Sequence, residues 1–394
     1  MWIIPGPGSL RLCKRSIGFR GIVFRSYATK TFDPLRILFC GSDEFSITHL
    51  KALHAYHSKN PERISSIDVV CRPGKRVGRG LRQIREVPIK AAASALSLPI
   101  HEIDTFTGWK PPTSPSGDIN LVIAVSFGLF VPPRILNGSK YGGMNVHPSI
   151  LPAFRGAAPI HHTLLAGLTT TGVTVQTLHP KKFDQGVILA QTPAPGVEIP
   201  KPQSCTVPEL ESFLAQKGGQ MLVETIDKGL FVSPVSGIEQ RGKATYAPKI
   251  TPEDRHIDWT SWTLTEIKRR NRVIGPLWSK ALCSSNAADG PLRFQQKRVI
   301  FTETEEVDPP KGCDSFSVLP GLPFTNASHP VEPKKTRQLY VFTADGKVLR
   351  INRMKVEGEQ DAEGLRAAIK ARMFGDRAFH YGGRDLTPFR NPLV

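Results

Sequence analysis

The sequence has no acidic residue before Asp33, no C-x-x-C pair, no G-x-G-x-x-G run, and nothing close to the roughly 20 consecutive apolar residues that a membrane-crossing helix requires. Each absence excludes something. Without long apolar runs a membrane enzyme is not expected. Without paired cysteines or a cysteine–histidine spacing, neither a structural zinc site nor a disulfide framework is implied. The six cysteines (Cys13, Cys40, Cys71, Cys205, Cys283, Cys313) are scattered, several in apolar stretches, and read as reduced thiols. Without the glycine fingerprint a dinucleotide site is unsupported, and Asp43 and Glu44 after Gly41 oppose a phosphate on the first turn.

What is abundant is positive charge. Lys and Arg outnumber Asp and Glu by 52 to 34 in 394 residues, a formal charge of +18, which favours a polyanionic partner such as nucleic acid. Part of the excess lies in residues 1–30, which hold Arg11, Lys14, Arg15, Arg20, Arg25 and Lys30 among apolar and hydroxyl residues. That composition predicts a mitochondrial transit peptide over 1–30, with Arg25-Ser26-Tyr27-Ala28 as the cleavage site and a mature chain starting near Ala28.

Beyond it, LRILFCG (35–41) predicts a strand and EFSITHLKALHAYH (44–57) a helix, the start of a doubly wound α/β unit. SIDVVC (66–71), LPIHEI (98–103), INLVIAVS (119–126) and GGMNVH (142–147) continue as buried, mostly parallel strands, with TGVTVQTLH (171–179) and VILAQTP (187–193) as partners. A long helix is expected at 208–230. The first domain is therefore placed at 33–232, a turn-rich linker at 233–245 and a second domain at 246–394. The second holds a helix at 262–275, short strands such as 297–304, 337–344 and 347–355, and a last helix at 361–374, a pattern that predicts a small β-barrel-like (OB-like) fold. The proline-rich stretch 308–335 reads as a surface excursion.

The chemistry concentrates in NVHPSILPAFRG (145–156). Asn145 and His147 stand two apart near the end of a strand, so their side chains share a face. Asp184 follows 37 residues after His147, in a Phe-Asp-Gln-Gly turn. An amide donor can stabilise charge on a carbonyl oxygen, an imidazole can move a proton near neutral pH, and a carboxylate can orient and stabilise that imidazole. This set suits acyl-type transfer without a covalent nucleophile.

NVHPSILPAFRGAAPI and TGVTVQTLHPKKFDQGVILAQ together resemble the signature of the folate-dependent formyltransferases and hydrolases, and most nearly the methionyl-tRNA formyltransferase pattern. The likeness runs from residue 35 through TYAPKI (245–250) and more weakly beyond. It implies that Asn145, His147 and Asp184 are catalytic, that Ser149, Ile150, Leu151 and Pro152 contact the folate, and that 10-formyltetrahydrofolate is the donor, with no metal. Initiator methionyl-tRNA would be the acceptor, the site of action the mitochondrial matrix, and the enzyme a monomer with no membrane partner. A 10-formyltetrahydrofolate hydrolase or a small-molecule formyltransferase on the same core is the alternative. Ser126-Phe127-Gly128 and Pro148 depart from the usual pattern.

CRPGKRVGRGLRQIR (71–85) argues for the tRNA branch: Arg72, Lys75, Arg76, Arg79, Arg82 and Arg85 occur with three glycines and no acid. By the resemblance this is the loop that meets the tRNA acceptor end. Lys268, Arg269, Arg270 and Arg272, and further on Arg350, Arg353, Lys355, Lys370 and Arg372, make the second domain a candidate cradle for the same RNA.

Overall fold

A computed structural model describes residues 30–385, apart from 115–116, 236, 286–292, 311–318, 326–337, 374–379 and 382–383, together with Phe389. The expected transit peptide and much of the proline-rich stretch lie outside the described residues.

Strand β1 (Leu35–Gly41) shows why the first sheet forms. Its side chains alternate between two faces, and both are covered: Leu35, Ile37 and Phe39 join one apolar cluster, Leu38 and Cys40 another. A strand buried on both sides is apolar at its covered positions, as LRILFC is apart from the half-buried Arg36, whose Nε donates to the Asp118 carbonyl. Around it lie β2 (Ile64–Cys71), β3 (Ile100–Glu102), β4 (Leu121–Val125), β5 (Gly143–His147), β6 (Thr174–Thr177) and β7 (Ile188–Gln191), in the spatial order β7-β6-β5-β4-β1-β2-β3. The pairings from β5 through β4, β1 and β2 to β3 are parallel; β6 runs antiparallel to β5, and β7 antiparallel to β6.

Helix α1 (Glu44–Lys59) begins where the Asp43 carboxylate accepts from the Ser46 N–H at 3.0 Å, a cap of the kind worth about 1 kcal/mol. It packs against α5 (Val207–Asp227), which opens on a reciprocal Thr206–Glu209 cap. Between α1 and α5 in chain order come α2 (Pro88–Ala95), α3 (Pro133–Gly138) and α4 (Pro159–Leu165).

The second unit is built on an antiparallel sheet. Strands β8 (Trp278–Ser285), β9 (Arg293–Val307), β10 (Pro323–Thr325), β11 (Leu339–Phe342) and β12 (Val348–Val356) lie in the order β8-β9-β12-β11-β10, with Ala362–Glu363 added to β12. A register break at Phe301–Thr304 bends the long strand β9, and the curled sheet agrees with the barrel-like expectation. Helices α6 (Leu264–Ile274) and α7 (Gly364–Lys370) accompany it.

Three expectations change in detail. The basic stretch 72–85 is an ordered antiparallel hairpin, Lys75–Val77 against Gln83–Arg85, because Gly78 and Gly80 adopt positive φ at its turn. The 233–245 segment is no free tether: Ile238 exchanges two backbone hydrogen bonds with Ile188, and Thr245 donates and accepts backbone hydrogen bonds at Pro152 and Arg155. Two arginines of α6 turn inward. Arg269 donates to the Leu165 carbonyl and pairs with Glu266, while Arg272 donates to the Cys205 carbonyl.

Gly218 and Gly219, in mid-helix on α5, let α1 approach closely. Alanine normally stabilises a helix interior by about 1 kcal/mol relative to glycine. At Gly218, however, a Cβ would lie 2.5 Å from Nε2 of the buried His49 ring, and overpacking of this kind costs about 1–3 kcal/mol. Gly218→Ala is therefore expected to lower the denaturant midpoint. Gly219→Ala, which meets the Ala52 Cβ at 3.3 Å, should lower it less.

Candidate active site

Asn145 and His147 lie on β5 and line a cavity of about 500 Å³ beyond the carboxyl ends of β4 and β5, where open α/β sheets hold ligands. Antiparallel pairing sets Thr174 opposite His147 and Gln176 opposite Asn145. Gln176 is buried, and its side chain donates to Asn145 Oδ1 at 3.1 Å and to Asp184 Oδ1 at 3.3 Å. The chain returns from β6 through a turn in which Asp184 takes a positive φ of 55°. Gly186 closes that turn against β6, where any Cβ would meet the Thr177 carbonyl oxygen at 1.7 Å. Only glycine allows this approach.

The three residues expected to be catalytic do converge. His147 Nε2 lies 2.8 Å from the Phe154 carbonyl, which can only accept, so this nitrogen carries the proton. Nδ1 lies 3.4 Å from Asp184 Oδ1. An imidazolium here would face an acceptor on both sides, a carbonyl at one nitrogen and a carboxylate at the other. Asp184 Oδ2 accepts the Gly156 N–H at 2.8 Å, which anchors the carboxylate. The Asn145 amide gives one Nδ2 hydrogen to the Ala124 carbonyl at 2.9 Å and retains another for a molecule in the cavity.

Ser149–Pro152, expected to contact the folate, follow directly on His147 and Pro148. None of the four lines the cavity, although the neighbouring Pro148 does. Ser149 Oγ is turned back to the Ala153 carbonyl at 2.6 Å, and the Leu151 N–H and the Ser149 carbonyl both bond the Thr174 hydroxyl. Ile150 packs where Cβ atoms on Gly172 and Gly196 would sit. Ser149 and Leu151 are buried, Ile150 and Pro152 half-buried. Phe127, Gly128, Leu129, Phe130 and Val131 also line the cavity, with the exposed Phe183 ring edge-on to Phe130.

Sequence reasoning misses Gln176, Gln240 and the part played by Arg155. Gln176 is visible as a polar residue one position after Val175 in an alternating strand, whereas Gln240 comes from a segment with no local signature. The far end of the cavity holds Asp43, Phe45, Val207 and Glu211. Burial raises the pKa of Asp43; burial and then the Asp43 charge raise that of Glu211.

The six cations of 72–85 do not share one setting. Arg72 pairs with Asp104 at 3.4 Å, while Lys75, Arg76, Arg82 and Arg85 are exposed, alongside the exposed side chains of Leu81 and Ile84. Arg79 sits in the turn. In the second unit many cations have acidic partners: Lys268 with Glu306, Arg270 with Glu266, Arg350 with Glu305, Arg353 with Asp361 and Lys370 with Glu359. Among the described residues there is no group of three or more His, Cys, Asp or Glu placed to hold a metal ion, and no helix long and apolar enough to cross a membrane.

Because the Asp43 charge adds to burial at Glu211, Asp43→Asn should lower the Glu211 pKa while leaving the burial contribution. Carboxyl carbon shifts followed through a pH titration read this directly; an unchanged or higher Glu211 midpoint would show that the two carboxylates do not interact.

The chain is similar to known formyltransferases. A family model described as formyl transferase matches residues 35–226. The mitochondrial methionyl-tRNA formyltransferase of Homo sapiens is 38% identical over 244 residues, 61% of this chain and 57% of that protein. That of Saccharomyces cerevisiae is 30% identical over 315 residues, 70% of this chain and 76% of its own length. A Synechococcus methionyl-tRNA formyltransferase is 29% identical, over 83% of this chain and 92% of its own. The match spans only 57% to 64% of the length of the four mammalian relatives. With the matched segment covering β1 through nearly all of α5, and Asn145, His147 and Asp184 within it, the chain belongs to the formyltransferase family.

Proposed function

We propose that the protein transfers a formyl group from 10-formyltetrahydrofolate to the amino group of methionyl-tRNA, the initiator species, in the mitochondrial matrix. The observation that carries this reading is the meeting of Asn145, His147 and Asp184 at the cavity floor, in a chain similar to methionyl-tRNA formyltransferases. The basic, acid-free residues 1–30 and the mitochondrial relatives support the compartment. The division into a catalytic domain over 33–232 and a tRNA-binding domain over 246–394 belongs to the same proposal.

In this mechanism the acceptor amine attacks the formyl carbon while the second Asn145 N–H receives the developing oxyanion; one such donor typically contributes about 100- to 1000-fold. His147 takes the amine proton on Nδ1, since Nε2 is committed to Phe154, and Asp184 faces the resulting imidazolium. His147 then returns the proton to N10 as the bond from N10 to the formyl carbon breaks, releasing tetrahydrofolate. The 3.4 Å separation between His147 and Asp184 is long for a hydrogen bond and is of the sort that tightens around substrate. The folate occupies the apolar wall formed by Phe127–Val131, with Pro148, next to the Ser149–Pro152 segment that the resemblance assigns to the folate, also lining the cavity. The exposed hairpin cations Lys75, Arg76, Arg82 and Arg85 meet RNA phosphates.

His147→Ala should cut formyl transfer to charged tRNA by about 100-fold or more, the usual weight of a general acid–base group, with tRNA affinity retained. Normal turnover in that variant would refute the assignment. Replacing Lys75, Arg76, Arg82 and Arg85 by serine should weaken tRNA binding and flatten its salt dependence, with the log–log slope falling by about 1 for each phosphate no longer neutralised. An unchanged slope would remove the hairpin from the RNA interface.

A further inference from the structure

Arg155 has no substrate role in the reading above, yet it stands in the same run of residues as Asn145 and His147 and is half-buried. Its guanidinium donates twice to Gln240 Oε1, from Nε at 3.1 Å and Nη2 at 2.6 Å. Gln240 Nε2, with two hydrogens to give, lies 3.0 Å from three acceptors, the carbonyls of Asp184 and Gly186 and Gln176 Oε1, so that one hydrogen is shared between two of them. Gln176 Oε1 also accepts the Gly186 N–H at 3.0 Å, and Gln176 Nε2 reaches Asn145 and Asp184.

The direction of every bond in this chain is forced. A guanidinium only donates, so Gln240 must turn its oxygen to Arg155 and its amide nitrogen to the two backbone carbonyls. A backbone N–H only donates, so Gln176 must turn its oxygen to Gly186 and its nitrogen to Asn145 and Asp184. Asn145 must then present Oδ1 to Gln176 and Nδ2 to Ala124 and the cavity. Were Asn145 flipped, its oxygen would face the Ala124 carbonyl and the developing oxyanion, both unfavourable. Half-buried and buried amides wired in series hold one another's orientation.

We infer that Arg155, Gln240 and Gln176 form a positioning relay that fixes the donor face of Asn145 and the turn carrying Asp184. None of the three touches the reacting atoms; they act through Asn145 and Asp184. The inference rests on the functional reading above. It also gives the 233–245 segment a task, because the residue that orients the catalytic turn is supplied from the stretch leading to the second unit.

The test is a double-mutant cycle on formyl transfer in the full chain, with charged tRNA and the formyl-folate donor. Gln176→Met and Gln240→Met are made in the native protein and in the Asn145→Ala protein. In the native protein each is expected to lower kcat about 10- to 100-fold, the scale of a small misplacement at a reacting centre, with KM for the folate little changed. In the Asn145→Ala protein the same substitutions should cost markedly less, since one of the two groups they orient is gone and only the part acting through the Asp184 turn remains. Gln176→Glu keeps the acceptor for Gly186 but offers no donor when ionised; its rate relative to native should recover as pH falls and the introduced acid regains a proton to donate. Losses that multiply fully in the Asn145→Ala protein, a rise in KM with kcat unchanged, or native activity in the variants would each overturn the relay. An inactive native protein would instead overturn the functional reading, and the relay with it.

Discussion

A sheet that is parallel from β3 to β5 delivers every strand to the cavity end in the same direction, so its side chains gather there but no chain returns to face them. Strand β6 breaks the rule by pairing antiparallel with β5. That single reversal sets Gln176 beside Asn145 and Thr174 beside His147, and it brings the next turn back with Asp184 within 3.4 Å of the imidazole. The Thr174 hydroxyl fixes the segment after His147, and Gly186 allows the turn to lie on the strand. Shift the pairing by one residue and all of these polar groups move to the opposite face, where Val173 and Val175 now pack in the core.

How much of this is legible in the sequence follows from the range of each interaction. Strand β1, helix α1 and helix α5 are legible because burial on both faces or along one stripe leaves a local apolar pattern; α1 and α5 end within about three residues of the expected places. Asn145, His147 and Asp184 are legible as chemistry in the run 145–156 and the later Phe-Asp-Gln-Gly turn. Gln240 is not, because its partners lie 56, 64 and 85 residues away in sequence and nothing beside it marks a buried amide. Strand β8 is equally hidden: WSKALCSS is short of the strict alternation that a half-exposed strand shows, and its pairing with β9 defines it.

Net charge divides by position in a way that composition conceals. The cations of α6 serve the junction, where Arg269 and Arg272 satisfy carbonyls of the first unit and Arg270 stacks over Trp262. Exposed pairs such as Lys268–Glu306 contribute little stability, but they cancel the field that a polyanion would feel. The hairpin is the contrasting case: Lys75, Arg76, Arg82 and Arg85 are exposed around two exposed aliphatic side chains, and none of the four forms a salt bridge among the described residues. Under the proposed function it is the more direct candidate for an RNA contact.

The central claim is that one cavity passes a formyl carbon from folate to the amine of methionyl-tRNA. The most direct measurement is the partition of label after the native protein is mixed with formyl-labelled 10-formyltetrahydrofolate and charged initiator tRNA, then quenched. Label is expected in an amide on the aminoacyl end of the tRNA, one per tetrahydrofolate released. Label recovered as formate at the same rate with or without tRNA would contradict the claim and identify a hydrolase.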